Sequence, residues 1–134
     1  MRMKLVKNEP QYWEFLRSLR NDERVKDGFI QQEHITSEQH MNYMMVHGDI
    51  FYVCLVDDMP AGYIRVLGDD IGVCTHPDFQ KRGVGKFMVN EIAQQYPDAC
   101  ARIKIKNEAS IRLFESCGFK KKYFLLEKED SSAS

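Results

Sequence analysis

Three apolar runs separated by two tight turns constrain this chain more than any other feature. Ile50-Phe51-Tyr52-Val53-Cys54-Leu55-Val56 carries no charged residue, so it reads as a strand buried on both faces. Asp57-Asp58-Met59-Pro60 is a turn, and Ala61 to Leu67 is a second strand forming a hairpin with the first. Gly68-Asp69-Asp70 turns the chain again into Ile71-Gly72-Val73-Cys74-Thr75. Such a meander has two faces to cover, and the flanking segments must supply the cover.

Upstream, Met3 to Lys7 suits a short strand. Tyr12, Phe15, Leu16 and Leu19 recur at helical spacing, which predicts a helix from about Pro10 to Arg20. Asn21 to Glu33 is charged and without period, long for a plain connection, and such loops are often functional. Thr36-Ser37-Glu38-Gln39 has capping-box spacing and opens a helix in which Met41, Met44 and Met45 are expected to face the core. His47-Gly48-Asp49 ends it.

Downstream, Val84, Phe87, Met88, Ile92 and Ala93 predict a helix running to about Gln95, stopped at Tyr96-Pro97-Asp98. Ala101 to Lys106 alternates Ile103 and Ile105 with Arg102, Lys104 and Lys106, which reads as a half-exposed strand. Asn107 caps a helix carrying Leu113, Phe114 and Cys117, and Gly118 closes it. Phe119 to Glu127 reads as a last strand, and Asp130 to Ser134 as a disordered tail. The order is that of a mixed α/β domain on a central sheet, one domain over residues 1–129.

Composition narrows the function. With 134 residues, 43% hydrophobic and 29% charged, the chain can bury one core without staples. A net charge of −1 gives no broad basic field for nucleic acid. Cys54, Cys74, Cys100 and Cys117 form no C-x-x-C pair and have no histidine at zinc-ligand spacing, so no metal is expected. Three of them lie in apolar runs and read as buried free thiols, which suits a reducing compartment. The first residues form no long apolar segment, so neither a signal peptide nor a membrane span is expected, and a cytoplasmic location is the simplest reading.

One loop carries the chemistry. Gln80-Lys81-Arg82-Gly83-Val84-Gly85-Lys86 joins a strand to a helix start, where free N–H groups and the helix dipole favour an anion. Gly83 and Gly85 let backbone approach a ligand, while Lys81, Arg82 and Lys86 add charge. A Walker loop would need Gly at 80 and Ser or Thr at 87, but Gln80 and Phe87 stand there. A dinucleotide fingerprint would need a third glycine where Met88 stands. A lone Gly-x-Gly could be no more than a tight turn.

The context adds to it. The loop resembles the Q/R-x-x-G-x-G/A motif of the GNAT superfamily of N-acetyltransferases, and Val73 to Phe79 looks like that family's fourth strand and exit. Asn107 to Phe119 is similar to its N-x-x-A-x-x-L-Y-x-x-x-G-F segment. The resemblance implies transfer of an acetyl group from acetyl-coenzyme A to a primary amine. It implies backbone contacts to the cofactor arm from Val73, Cys74 and Thr75, and a pyrophosphate cradle over Gln80, Lys81, Arg82, Gly83, Val84, Gly85 and Lys86. Asn107, Ser110 and Phe114 would approach coenzyme A from the other side, where the fourth and fifth strands splay. Asn107 can also be read as a helix cap alone.

Two departures stand out. Phe114 replaces a tyrosine thought to protonate the leaving thiolate, and it has no exchangeable proton. The end has room for one strand where the family has two, so either the sheet is truncated or a partner chain, a second copy in a homodimer, completes it.

For the proton on the amine, His40 and His34 are the candidate bases, with Asp70, Asp69 and Glu33 as carboxylate alternatives. His76 ranks lower as a structural histidine. Leu19 to Asp22 and Ile35 to Met44 look like segments of relatives that acetylate nucleotide-linked amino sugars. Protein N-termini, other small amines, or a non-catalytic coenzyme A-binding regulatory module are the alternatives. No nucleic acid or membrane partner is expected.

Overall fold

The hairpin turn closes because Asp57 and Asp58 both adopt positive φ, +48° and +69°, the twist that two-residue connections between antiparallel strands require. The structure, a computed structural model, describes residues 1–30 and 33–129. Strands β1 (Met3–Lys7), β2 (Phe51–Val56), β3 (Met59–Leu67) and β4 (Asp70–Thr75) form an antiparallel sheet in the order β1-β2-β3-β4. Around it lie α1 (Trp13–Asn21), α2 (Glu23–Lys26), α3 (Ser37–His47), α4 (Val84–Gln95) and α5 (Glu108–Ser116). This is the mixed α/β architecture that the pattern predicts.

Both faces of β2 are buried, as its uninterrupted apolar run demands. On one face Cys54, Val56, Ala61, Ile64, Val66 and Ile71 meet Val84, Met88, Val89 and Ile92 of α4 and Phe114 of α5. On the other, Phe51, Val53, Leu55, Tyr63 and Cys74 meet Leu16, Leu19 and Met44 of α1 and α3. Thr36 and Gln39 close the expected capping box at the start of α3, each side chain accepting the other's backbone N–H.

Four expectations are corrected. The methionines of α3 do not share the core face. Met44 is buried, whereas Met41 and Met45 are exposed, because the inward pair is His40 and Met44, one turn apart. The stretch read as an irregular loop after Arg20 contains α2, which Asp22 caps by accepting the Arg24 N–H at 2.9 Å. The Arg24 guanidinium beside it lowers the Asp22 carboxyl to about 2. The strands read at 101–106 and 119–127 are not formed. Only an isolated parallel bridge, Asp70 to Cys100, is present there. Of the thiols, Cys54 and Cys74 are buried, Cys117 is half-buried and Cys100 is exposed. The tail read at 130–134 lies outside the described residues.

Two residues set how closely these layers fit. A methyl at Gly62, opposite Thr75 in the β3–β4 register, would stand 2.6 Å from the Cys74 carbonyl oxygen. Gly62→Ala must therefore push β4 away, at a cost of roughly 1–3 kcal/mol. The expected outcome is a melting temperature lower by several degrees, read by calorimetry; an unchanged value would show that the strands yield freely.

Among the described residues, His40 is the one buried polar residue of the core. Its Nε2–H donates to the Trp13 carbonyl at 2.8 Å, and its Nδ1 is buried without a partner. Burial pushes its pKa below the ordinary value, with Arg20 and Arg17 adding to the effect. As pH falls through about 6.5, a histidine in the unfolded chain takes up a proton that folded His40 refuses. Acid therefore favours unfolding until the lowered folded pKa is reached. Between pH 7.5 and 5.5 the wild type should lose more stability than His40→Gln, and parallel denaturation curves across that interval would refute the assignment.

Candidate functional site

The site is built where β4 stops being a two-sided strand. The Ile71 N–H donates to the Cys100 carbonyl, and the Cys100 N–H to that of Asp69, each at 2.8 Å. Beyond this bridge, 101–106 diverges from β4, leaving a V with Asp70 at its closed apex. Backbone groups alternate in direction along a strand. Since Ile71 faces the V, Val73 and Thr75 do too, while Gly72 and Cys74 face β3. The alternation thus gives Val73 and Thr75 polar groups on the open side. Cys74 contributes a side chain buried in the core, where desolvation pushes its thiol up to about 12.

The loop after β4 supplies donors. Pro77–Phe79 forms a single 3-10 turn, held by His76 Nδ1 accepting the Asp78 N–H at 3.1 Å. That bond, with the ring stacked 6.4 Å from Phe15, gives His76 a structural place. Lys81 and Gly83 then take left-handed conformations, φ +64° and +81°. Gly83 is the N-cap of α4 and offers no side-chain cap. Among the described residues, no backbone N–H from Lys81 to Lys86 finds an acceptor. Successive bare N–H groups at a helix start make an anion cradle.

The two glycines have different jobs. A Cβ on Gly83 would meet nothing within 4 Å, so it is there for its backbone angle. One on Gly85 would come 3.1 Å from Leu113 and 3.5 Å from Thr75 Oγ1, so Gly85 lets α4 approach α5 and β4. Arg82 lies over the Phe79 ring at 5.6 Å. Among the described residues, Lys81, Arg82 and Lys86 form no ion pair. Their charge is therefore available to a ligand.

The far wall of the V is α5. Asn107 Oδ1 accepts the Ser110 N–H at 3.2 Å, so the predicted cap forms. The Asn107 Nδ2 faces Gly28, where an added Cβ would stand 3.3 Å away. Lys104 Nζ donates to the Asp27 carbonyl at 2.9 Å. These contacts carry the segment after α2 across the V to its opposite wall. Phe114 is buried, edge-to-face on Phe119 at 5.1 Å.

On the α1 side of the sheet, Arg65 lies flat across Gly72, where an added Cβ would stand 2.8 Å from its Nη2. Its Nη2 pairs with Asp70 Oδ2 at 3.3 Å, and Asp70 Oδ1 is buried without a partner. Of the candidate bases, only Asp70 stands at the apex. His34 is exposed in the segment before α3, and His40 is enclosed between α1 and α3. Asp69 is exposed in the turn before β4, and Glu33 is exposed beside His34.

Sequence reasoning passed over Arg65, although a lone charge inside an apolar strand run is a signal. It also passed over Asn21, whose amide bonds both the N–H and the carbonyl of Ile35 at 2.8 Å. Among the described residues, no group of three His, Cys, Asp or Glu is placed to hold a metal ion. No helix there is long and apolar enough to cross a membrane.

A search against curated proteins finds no significant match. Solved structures do superpose. A domain from Methanocaldococcus jannaschii DSM 2661 matches with TM-score 0.79 at 24% identity, over 90% of each chain. Spermidine N-acetyltransferase from Vibrio cholerae, solved with CoA and spermine, matches with TM-score 0.81 at 14% identity, over 94% of this chain and 85% of that one. AAC(6')-Iy, solved with the bisubstrate analogue CoA-S-monomethyl-acetylneamine, matches with TM-score 0.70 at 14% identity, over 97% and 99%. At such identities these likenesses establish the fold. The model of the acetyltransferase (GNAT) domain matches residues 47–121, which hold β2 to β4, the bare-amide loop, α4 and α5. Because that match covers more than half of the chain and all but the acceptor-side helices of the V-shaped site, the chain belongs to the GNAT acetyltransferase family.

Proposed function

We propose that this chain transfers the acetyl group of acetyl-coenzyme A to a primary amine, by direct attack within a ternary complex. The observation that carries the reading is the bare-amide loop, Lys81 to Lys86, opening onto the V beside β4. A pyrophosphate fits there: the donors are unspent, Gly83 leaves open space, and three cations surround it. Gln80 and Val84 flank the cradle, and Val73 and Thr75 offer the arm a strand-like edge, with Cys74 turned to the core. Asn107 and Ser110 would approach it from the start of α5, whereas Phe114 is buried in the core.

Acetyl-coenzyme A supplies an activated acyl group, and the reaction needs no metal. Asp70, at the apex with Arg65 3.3 Å from its Oδ2, receives the proton of the amine directly or through water. Phe114 brings no proton donor, and a thiolate is a tolerable leaving group near neutral pH. For the acceptor we favour a nucleotide-linked amino sugar. The two stretches that suggested it are stitched into one unit by Asn21 and Ile35. A small amine such as a polyamine is the second reading, supported by the likeness to the spermidine N-acetyltransferase.

Acetyl-coenzyme A at a hundredfold excess over its dissociation constant should stabilise the protein by about 3 kcal/mol. Gly83→Asp, which sets a carboxylate against the cradle, should abolish that shift; a retained shift would move the cofactor elsewhere. Asp70→Asn should keep the shift and lose on the order of a hundredfold in kcat. Equal kcat would remove Asp70 from the chemistry. Phe114→Tyr should leave the rate within about tenfold, whereas a hundredfold gain would show that a proton donor is missing. A panel of amino sugars, polyamines and peptides, ranked by kcat/KM, identifies the acceptor. A polyamine at its head would overturn the amino sugar and keep the transfer reaction.

A further inference from the structure

Among the described residues, the basic side chains of α1 and α2 are paired with one exception. Arg17 bonds Glu14 at 2.6 Å, Arg24 bonds Asp22 at 2.7 Å, and Lys26 stands 3.8 Å from Glu23. Arg20, half-buried on the same helix as Arg17, forms no ion pair there. Its guanidinium rests over the Tyr43 ring at 5.9 Å. Tyr43 stands edge-on to Phe51 at 6.2 Å, and Phe51 packs on Tyr63 at 5.7 Å. Phe51 also lies opposite Arg65 in the β2–β3 register. The rings thus lead from Arg20 to Arg65, a second half-buried cation on the α1 side of the sheet. Burial pushes the Tyr63 phenol up while Arg20 and Arg65 both pull it down, so the two charges are felt at one hydroxyl.

A guanidinium drawn partly out of water is ordinarily matched by a carboxylate. Arg65 has Asp70, whose Oδ2 lies 3.3 Å from its Nη2, and that contact uses one of its N–H donors. Its plane lies on Gly72, which contributes no side chain, so the guanidinium itself floors the sheet at that level. A coenzyme arm entering along Thr75 and then Val73 ends near it. We propose that the amine acceptor of this chain carries an acidic group, a carboxylate or a phosphate, bound between Arg20 and Arg65 with the amine turned to Asp70. Both groups suit a planar guanidinium, because each accepts two parallel hydrogen bonds from it. The Tyr43 ring holds Arg20 in place by its face and leaves the N–H edge for the acid. A polyamine would set its own positive charges against the same two guanidiniums, which disfavours it. This inference rests on the acetyl-transfer reading and narrows its acceptor to an amine that also bears negative charge.

Titration calorimetry on the full chain with coenzyme A bound reads the acceptor without turnover. Two pairs of probes separate the acids: glucosamine 6-phosphate against glucosamine, and L-alanine against L-alaninamide. In one pair the acidic member should bind about tenfold more tightly or better, the worth of a charge-assisted hydrogen bond. Preference in the first pair assigns a phosphate, and in the second a carboxylate. Arg20→Gln should keep a native circular dichroism spectrum and bring the two members of that pair within about twofold, while Arg20→Lys, which keeps the charge, should retain most of the preference. In the unaltered protein the preference should shrink several-fold between about 50 and 500 mM salt, a measurement that needs no variant. Equal binding within both pairs, tighter binding of spermidine than of either acid, or a preference that neither salt nor Arg20→Gln moves overturns the proposal. Thiol release from acetyl-coenzyme A is followed separately. Amines acetylated without regard to acid leave the transfer standing and refute the acidic acceptor; an acid preference in binding with no thiol release removes the transfer and keeps the anion site.

Discussion

The structure depends on a ladder that is kept on one side of β4 and lost on the other. Toward β3 the pairing runs the whole strand, from Asp70 opposite Leu67 to Thr75 opposite Gly62. Away from β3 it amounts to one bridge at Cys100. A backbone edge inside a domain normally carries a penalty, because unpaired N–H and carbonyl groups lose water without gaining partners. Here it falls at Val73 and at the Thr75 N–H, the Thr75 carbonyl accepting from Gln80 Nε2, beside a loop whose amides are also unspent. Two sets of donors without an acceptor among the described residues thus point into one cleft.

The cleft stays open because its walls are held from behind. Two apolar cores on opposite faces of the sheet fix β4, and α4 is anchored by Val84, Met88, Val89 and Ile92, all nearly inaccessible. The first turn of α4 can therefore leave its amides bare without unravelling. The segment after α2 reaches the other side of the cleft, where the Asp27 carbonyl accepts from Lys104 Nζ.

Much of this was legible in the amino-acid order. Runs without charge told of strands buried twice over. The Thr36–Gln39 box and the Asn107 cap marked helix starts. These signals are local: each depends on residues within one turn or one strand, where backbone geometry is set by neighbours in sequence. The errors were of the other kind. Met41 and Met45 satisfy a helical stripe, yet which stripe faces inward is decided by what α1 presents to α3, and there His40 takes the place beside Met44. Ala101 to Lys106 has a strand's alternation, but a strand also needs a partner, and beyond Cys100 β4 turns away from it.

The sequence by itself determined the meander, the helix boundaries, the loop that can hold an anion, and the absence of a tyrosine at position 114. All of these follow from residue type and short spacing. Only the tertiary structure decided which backbone groups of β4 face the cleft, that Gly85 serves packing while Gly83 serves conformation, that His40 is enclosed, and that Asp70 stands at the apex beside Arg65. It also decided that Tyr123 to Leu126 are exposed among the described residues. The physical reason is common to all of them: burial, the direction of a backbone group and an unmet partner depend on residues far apart in sequence, so they take their values only once the layers have packed.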